Sequence, residues 1–219
     1  MNLSEKTVER LIRCRRELLK YQYLEKPHVF SNDLARVLNI RPEQLRQDLM
    51  ATSIVAGSNR NGYDVNKLIA AIEAKTDLQK IGNTAFIGDV KLVDVFKNFI
   101  DSDFFDFEIS AVFSFTAEED THLGVPWYSM EKMPEIITNS NIEIAIVGVC
   151  PDFAQELVDT LLLCGIKGII NLTSENILPV PGIRVENYDI LAVIEKINFL
   201  MKRDQEIETI IKKNSRNES

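Results

Sequence analysis

The chain has 219 residues, 45% of them hydrophobic and 26% charged, with three cysteines and a formal net charge of −8. This is enough apolar material for one or two ordinary cores and excludes a disordered chain; no apolar run approaches the ~20 residues that span a bilayer. Cys14, Cys150 and Cys164 lie far apart without metal-ligand spacing, and the N-terminus is polar from Asn2 with no apolar signal region, a pattern that fits a reducing cytoplasm.

His28 and His122 are isolated, so no metal centre or histidine-based triad is expected. The charge is split. Residues 1–78 carry 13 Lys and Arg against 10 Asp and Glu, a net +3; residues 79–219 carry 12 against 23, a net −11. The change of sign puts a boundary near residue 80. An acidic chain remains compatible with DNA binding when its cations share one face.

Residues 4–24 read as an amphipathic helix. Ser4 suits the N-cap, and Val8, Leu11, Ile12, Leu18 and Leu19 recur at helical spacing, with Arg10, Arg13, Arg16 and Lys20 on the opposite face. Pro27 breaks the chain. Ser31 then caps a short helix, Asn32 to Leu38, with Leu34, Ala35 and Leu38 facing inward, and Asn39 suits the left-handed residue at its end. Pro42 fits the first turn of a third helix that reaches about Met50 and exposes Arg41, Gln44, Arg46 and Gln47. Two short helices joined by a tight turn make a helix-turn-helix.

The stretch from Ile54 to Val65 places apolar residues around a turn rich in Gly, Ser and Asn, which reads as a β-hairpin with Arg60 at or near its tip. A helix-turn-helix followed by such a hairpin is a winged helix. Its recognition helix would bring Gln44, Arg46 and Gln47 to base edges in the major groove. Arg13, Arg16, Arg41 and Arg60 would supply salt-dependent phosphate contacts, and an arginine at a hairpin tip also suits a narrow minor groove. Asp48 would orient Arg46 or another arginine through a charge-assisted hydrogen bond. Winged helices also mediate protein contacts, which is a rival reading.

From residue 80 strands alternate with helices. Strands are expected at Thr84–Ile87, Glu108–Phe113, Ile142–Val147, Gly168–Asn171 and Arg184–Asn187, and helices at Lys91–Phe99, Met130–Asn139 and Phe153–Leu163. The alternation predicts an α/β domain with a doubly wound parallel sheet. Its ligand crevice would lie at the C-terminal ends of the strands, around Gly88–Lys91, Ser114–Thr116, Gly148–Pro151 and Asn171–Ser174.

The first strand runs into a turn where a dinucleotide-binding unit carries Gly-x-Gly-x-x-Gly; the three glycine positions hold Gly88, Val90 and Val93. The first glycine makes the tight turn, the second lets the pyrophosphate approach the backbone and the third lets the helix pack close to the strand. A branched side chain at positions 90 and 93 obstructs the last two tasks. The second strand usually ends in an acidic residue that holds the ribose; here it ends in Ser114 and Thr116, which carry no charge. The amides after Gly88 could still hold an anion, and Asp89 could occupy that place itself. A sheet retained for dimerisation without a ligand is the alternative.

The last helix is expected from Ile190 to Arg203. Leu191, Ile194, Ile197, Leu200 and Met201, with Asn198 among them, make a broad apolar face that must pack on its own domain or on a partner subunit. Residues 204–219 are charged and read as frayed helix followed by a disordered tail.

This order of parts resembles the Rex family of redox-sensing transcriptional repressors over roughly residues 4–203. The resemblance rests on Leu34-Ala35 through Leu45-Arg46-Gln47-Asp48-Leu49, Gly62-Tyr63-Asp64-Val65, Gly124-Val125-Pro126, Asn141 to Ile146, Gly165 to Asn171, and Val180 through Tyr188-Asp189. It implies a winged-helix DNA-binding domain over 1–78, a Rossmann-like domain over 79–188, a swapped C-terminal helix over 189–204 and a flexible tail over 205–219. It also implies a homodimer that binds operator DNA when NADH is low and releases it when NADH is high. The cofactor positions implied for NAD(H) are Gly88, Asp89, Val90, Lys91, Ser114 and Asp189. The family's glycine fingerprint matches only at Gly88. Two versions of sensing follow: NADH still binds and shifts the domains, or the pocket takes another nucleotide or none. An enzyme, such as a small dehydrogenase, is not expected, because no acid–base pair or placed nucleophile supports one.

Overall fold

The protein is described by a computed structural model covering residues 3–51, 62–76, 82–89, 91–95, 109–115, 121–122, 124–148 and 154–217. The chain divides into two compact units, the first closing at Ile81 and the second opening at Gly82.

In the first unit the elements are α1 (Glu5–Tyr23), β1 (His28–Val29), α2 (Ser31–Leu38), α3 (Pro42–Ala51), β2 (Tyr63–Asp64) and α4 (Val65–Thr76). Ser4 is the N-cap of α1, its hydroxyl accepting from the Thr7 amide at 3.2 Å. Leu11, Cys14 and Leu18 stack along one side of α1 and meet Leu34, Ala35 and Leu38 of α2, Leu45 and Leu49 of α3, and Leu68, Ile69 and Ile72 of α4. Cys14 packs as an apolar residue. Burial, followed by the charges of Asp48 and Glu17, pushes its thiol up to about 12, so it stays protonated at neutral pH.

Several local signals act as their chemistry dictates. Asn39 takes φ 54° and ψ 45° and closes α2 in the left-handed region. Pro42 opens α3, where its missing N–H costs nothing. Ser31 differs from expectation: it is the first helical residue of α2, and Phe30 precedes it without a side-chain cap. Its hydroxyl instead accepts from Arg46 at 3.2 Å. Helix α4 has no counterpart among the expected elements, although Val65, Leu68, Ile69 and Ile72 follow helical spacing; Asp64 accepts from the Lys67 amide at its start at 2.9 Å.

The segment after Pro27 is a short strand rather than a simple break, because β1 pairs antiparallel with β2. The expected hairpin lies outside the described residues as far as Asn61, Arg60 included; only its closing arm is seen. Gly62 leads into that arm with φ +71°, and a Cβ there would stand 2.6 Å from the Val29 carbonyl oxygen. Gly62→Ala is expected to lower the stability of this unit by about 1–3 kcal/mol, through strain at a positive φ and the clash together. A urea melt at wild-type stability would refute that expectation.

The second unit contains β3 (Asn83–Gly88), a helical segment α5 at 91–95, β4 (Ile109–Ser114), β5 (Thr121–His122), β6 (Val125–Ser129), α6 (Met133–Asn139), β7 (Ile142–Gly148), α7 (Ala154–Leu163), β8 (Gly168–Asn171), β9 (Arg184–Asn187) and α8 (Ile190–Asn217). The sheet order is β5-β6-β4-β3-β7-β8-β9. All neighbours run parallel except the short β5–β6 pair. Counted along the chain, the six parallel strands lie in the order 3-2-1-4-5-6, the doubly wound Rossmann arrangement.

Side chains alternate across this sheet. Ala85, Ile87, Ala111, Phe113, Ala145 and Val147 join Met133 and Ile137 of α6 and Val158 and Leu161 of α7 on one face. Phe86, Val112 and Ile146 join Val93 and Trp127 on the other. Strands β5 and β6 were not expected. The expected helix at Met130 begins as a 3-10 turn, Met130–Lys132, before α6. Helix α8 continues past Arg203 to Asn217, where a frayed end and tail were expected.

Candidate DNA-facing helix and nucleotide crevice

Helix α3 buries Leu45, Asp48 and Leu49, which leaves Arg41, Glu43, Gln47 and Met50 exposed and Gln44 and Arg46 half-buried on the flanks. Gln47 therefore sits in the middle of the outward row. Arg46 is already engaged: Nη2 donates to Glu43 Oε1 at 2.7 Å and Nη1 to the Ser31 hydroxyl at 3.2 Å. Gln44 Nε2 donates to Asp48 Oδ1 at 3.1 Å.

Asp48 is the hub on the inner side. Arg10 Nε donates to its Oδ2 at 2.6 Å and Arg10 Nη2 to its Oδ1 at 2.8 Å, a bidentate fork between α1 and α3. The hydrogen bond to Asp48 is the main cause that raises the Arg10 pKa, against the opposing effect of burial. Arg10 thus turns inward and does not share the solvated face expected for it. Arg13 and Arg16 stay exposed on α1, and Arg13 Nη2 reaches the Leu38 carbonyl at 3.4 Å. The structure brings Gln44, Arg46 and Gln47 together on one short helix with Arg41 at its start.

The crevice of the second unit follows from its topology. Strand order reverses between β3 and β7, so a ligand belongs at their C-terminal ends. There Gly88 pairs with Gly148. A Cβ on Gly88 would meet the Gly148 carbonyl oxygen at 2.7 Å and Phe86 at 2.9 Å, so the close approach of the two strands itself requires glycine. Asp89 caps α5: its carboxylate accepts from the Lys91 amide at 2.8 Å, and its carbonyl accepts from Leu92 and Val93 at 3.0 and 3.4 Å.

Val93, at the third glycine position, is 2% exposed and packs with Phe86, Val112 and Trp127. The obstruction expected there is absorbed as core packing between helix and sheet. Leu92 reaches over the end of β7, with Cδ2 2.6 Å from where a Cβ of Gly148 would stand. Ser114 is buried at the end of β4, beside Ser129 of β6. Lys91 is exposed. Val90, Thr116 and residues 149–151 lie outside the described residues.

Two further positions near the strand ends are held by their own chain. Asn171 is fully buried; its amide donates to the Glu175 carbonyl and to Asn187 Oδ1, both at 2.7 Å, while its oxygen accepts from Thr173. Asp189 accepts from the Ala192 amide at 2.9 Å and caps α8. Sequence reasoning expected Asp48 to hold Arg46 or another arginine, and the structure makes that arginine Arg10; it did not single out Leu92. Leu92 carries no signal beyond its place in the turn, and Arg10 and Asp48 are 38 residues apart. Among the described residues no group of three or more His, Cys, Asp or Glu could hold a metal ion, and no helix is long and apolar enough to cross a membrane.

Comparison with known proteins agrees with this geometry. The CoA binding domain family matches residues 79–175. The redox-sensing transcriptional repressor Rex of Leuconostoc citreum is 30% identical over 175 residues, covering 79% of this chain and 81% of that protein. Rex 1 of Enterococcus faecalis is 26% identical over 89% of this chain and 93% of its own length. Among solved structures, the Rex-family repressor RSP in complex with β-NAD+ and operator DNA shares the fold, with a TM-score of 0.82 and 22% identity over 96% of this chain and 97% of that one. Extended identity to Rex of Leuconostoc citreum through both units, on the Rossmann strand order just described, shows that the chain belongs to the Rex family of redox-sensing transcriptional repressors.

Proposed function

We propose that this protein is a transcriptional repressor that grips operator DNA as a homodimer through its first unit and loosens that grip in response to NAD(H) at its second. The observation that carries the reading is α3, the second helix of a helix-turn-helix in a Rex-family chain, with Gln47 in its outward row, Arg46 on its flank and Arg41 just before its start. Gln44 and Arg46 read base edges, and Arg13, Arg16, Arg41 and Arg60 contact phosphates. Arg46 must first leave Glu43, an exposed pair whose loss costs little. The DNA-binding domain follows the limits 1–78 and the Rossmann-like domain 79–188, with the C-terminal helix from residue 189 onward.

For NAD(H), the residues at the strand ends are Gly88, Asp89, Val90, Lys91 and Ser114, and the bound dinucleotide would act by favouring one arrangement of the dimer over another. Among the described residues of the crevice Asp89 caps α5, Val93 packs inward and Ser114 is buried, and membership of a repressor family supports regulation rather than turnover. The uncharged Ser114 and the Val90 position favour a second version, in which another nucleotide or none replaces NAD(H).

Fluorescence anisotropy on DNA from upstream of the protein's own gene tests both parts. Arg46→Ala is expected to weaken specific binding by about 1–3 kcal/mol while leaving binding to random DNA less affected. Wild-type operator affinity in that variant would remove Arg46 from the reading. NADH is expected to weaken the complex; indifference to NADH would favour the second version.

A further inference from the structure

We propose that Met50 is a specificity-determining residue of the DNA face, which reads the 5-methyl group of a thymine in the major groove beside the base pair that Gln47 addresses. The proposal rests on the operator-binding reading above and deepens it. Helix α3 places its apolar residues Leu45 and Leu49 in the core. Met50 follows directly yet is 71% exposed, more than any other large hydrophobic side chain among the described residues of the first unit. A lone exposed hydrophobic residue is ordinary; its neighbours give this one a role. Residues three and four apart share a helix face, so Met50 continues the row of Glu43, Arg46 and Gln47, opposite the buried Leu45, Asp48 and Leu49. Arg46 turns to Glu43 and to Ser31, and the thioether one turn beyond it stays uncovered.

The chemistry of the groove names the contact. A thioether carries no charge, donates no hydrogen bond and is only a weak acceptor, so it gains nothing from a phosphate and little from the polar edges of bases. The apolar group that base pairs present in the major groove is the thymine methyl. A glutamine such as Gln47 suits the N6 and N7 of adenine. Three residues at a rise of ~1.5 Å put Met50 about 4.5 Å further along α3 than Gln47, on the order of the 3.4 Å step between base pairs. Gln47 and Met50 therefore address neighbouring pairs, and a step of two A·T pairs suits both.

The probe is a DNA duplex enriched from random sequence by the full wild-type chain, with each thymine replaced in turn by deoxyuridine, which lacks only the 5-methyl group. Fluorescence anisotropy compares wild type with Met50→Ala, Met50→Gln and Met50→Leu. At one thymine of each half-site the wild type is expected to lose about fourfold in affinity, the worth of one buried methyl-sized group. Met50→Ala and Met50→Gln are expected to lose a similar factor on the thymine duplex and to be indifferent to deoxyuridine there, so that the two losses do not add. Met50→Leu, still apolar, is expected to keep the discrimination. Binding to random DNA and its salt slope should not change, because no phosphate contact is touched. The same deoxyuridine sensitivity in wild type, Met50→Ala and Met50→Gln overturns the proposal and leaves the operator-binding reading intact, as does a wild type with no sensitive thymine. A lower melting temperature in these variants with the discrimination retained gives Met50 a structural role and overturns it as well. Failure of the wild type to enrich any sequence overturns the operator-binding reading and this proposal with it.

Discussion

Replacing Ile194 and Ile197 together by glutamate is expected to leave the protein monomeric and to cost most of its operator affinity. Helix α8 is 28 residues long and exposes Ile190, Leu191, Ile194, Ile197, Met201 and Ile207 within one chain. Ile194 alone is 57% exposed. A contiguous apolar stripe of this length marks an interaction surface, and two-fold symmetry would bury each of its residues twice in a homodimer.

Covering one such side chain is worth about 1.5–3 kcal/mol. Glutamate at two central positions of the stripe forfeits that gain and adds the desolvation of charge in both subunits. Since the affected side chains lie outside both cores, the far-UV spectrum should not change. Sedimentation velocity would report the association state, and anisotropy the operator affinity. A monomer grips one half-site where the dimer grips two, so binding falls by orders of magnitude. Persistence of the dimer at low micromolar concentration would mean that α8 is not its main contact.

The second large effect is expected from Asp48→Ala. Its carboxylate is 4% exposed and accepts from Arg10 Nε, Arg10 Nη2 and Gln44 Nε2. Removing it strands a guanidinium whose side chain is only 23% exposed. Breaking a buried pair in this way costs about 3–5 kcal/mol when both partners are fully enclosed, and the partial exposure of Arg10 reduces the expected loss to about 3 kcal/mol. Asp48→Asn keeps acceptor capacity and loses the charge, so about half of that loss is expected.

Asp48→Ala also frees Gln44 and unlatches α3 from α1, so operator binding should fall with stability. The single tryptophan, Trp127, lies in β6 of the second unit. In urea the helical far-UV signal should therefore lose its first transition earlier, while Trp127 fluorescence shifts less. Equal shifts of both signals, or none, would contradict the role given to Asp48.

Local signals carried much of the fold. The helical spacing of Leu11 and Leu18, the left-handed Asn39 and the helix-opening Pro42 each depend on residues a few positions apart, and each acts as its chemistry requires. The β-α alternation after residue 80 likewise led to a doubly wound sheet, because uninterrupted apolar strands need cover on both faces. The short pairings were not legible in this way. Strands β1 and β2 are two residues each and have no period to read. Strand β6 includes Pro126, which counts against a strand by composition, and it joins the sheet at its edge beside β5.

By itself the sequence determined the helix-turn-helix and the order of the long strands and helices after it, a basic first unit joined to an acidic second, and a loop with one glycine where three belong. Those properties depend on neighbours along the chain. Only the tertiary structure decided that Arg10 is a clamp while Arg13 and Arg16 stay exposed, that Val93 packs inward, and that Leu92 covers Gly148. It also left the apolar side chains of α8 from Ile190 to Ile207 exposed among the described residues. Each of these is a contact or an exposed face that arises when distant segments meet, and the pattern of one segment does not encode which distant surface it will face.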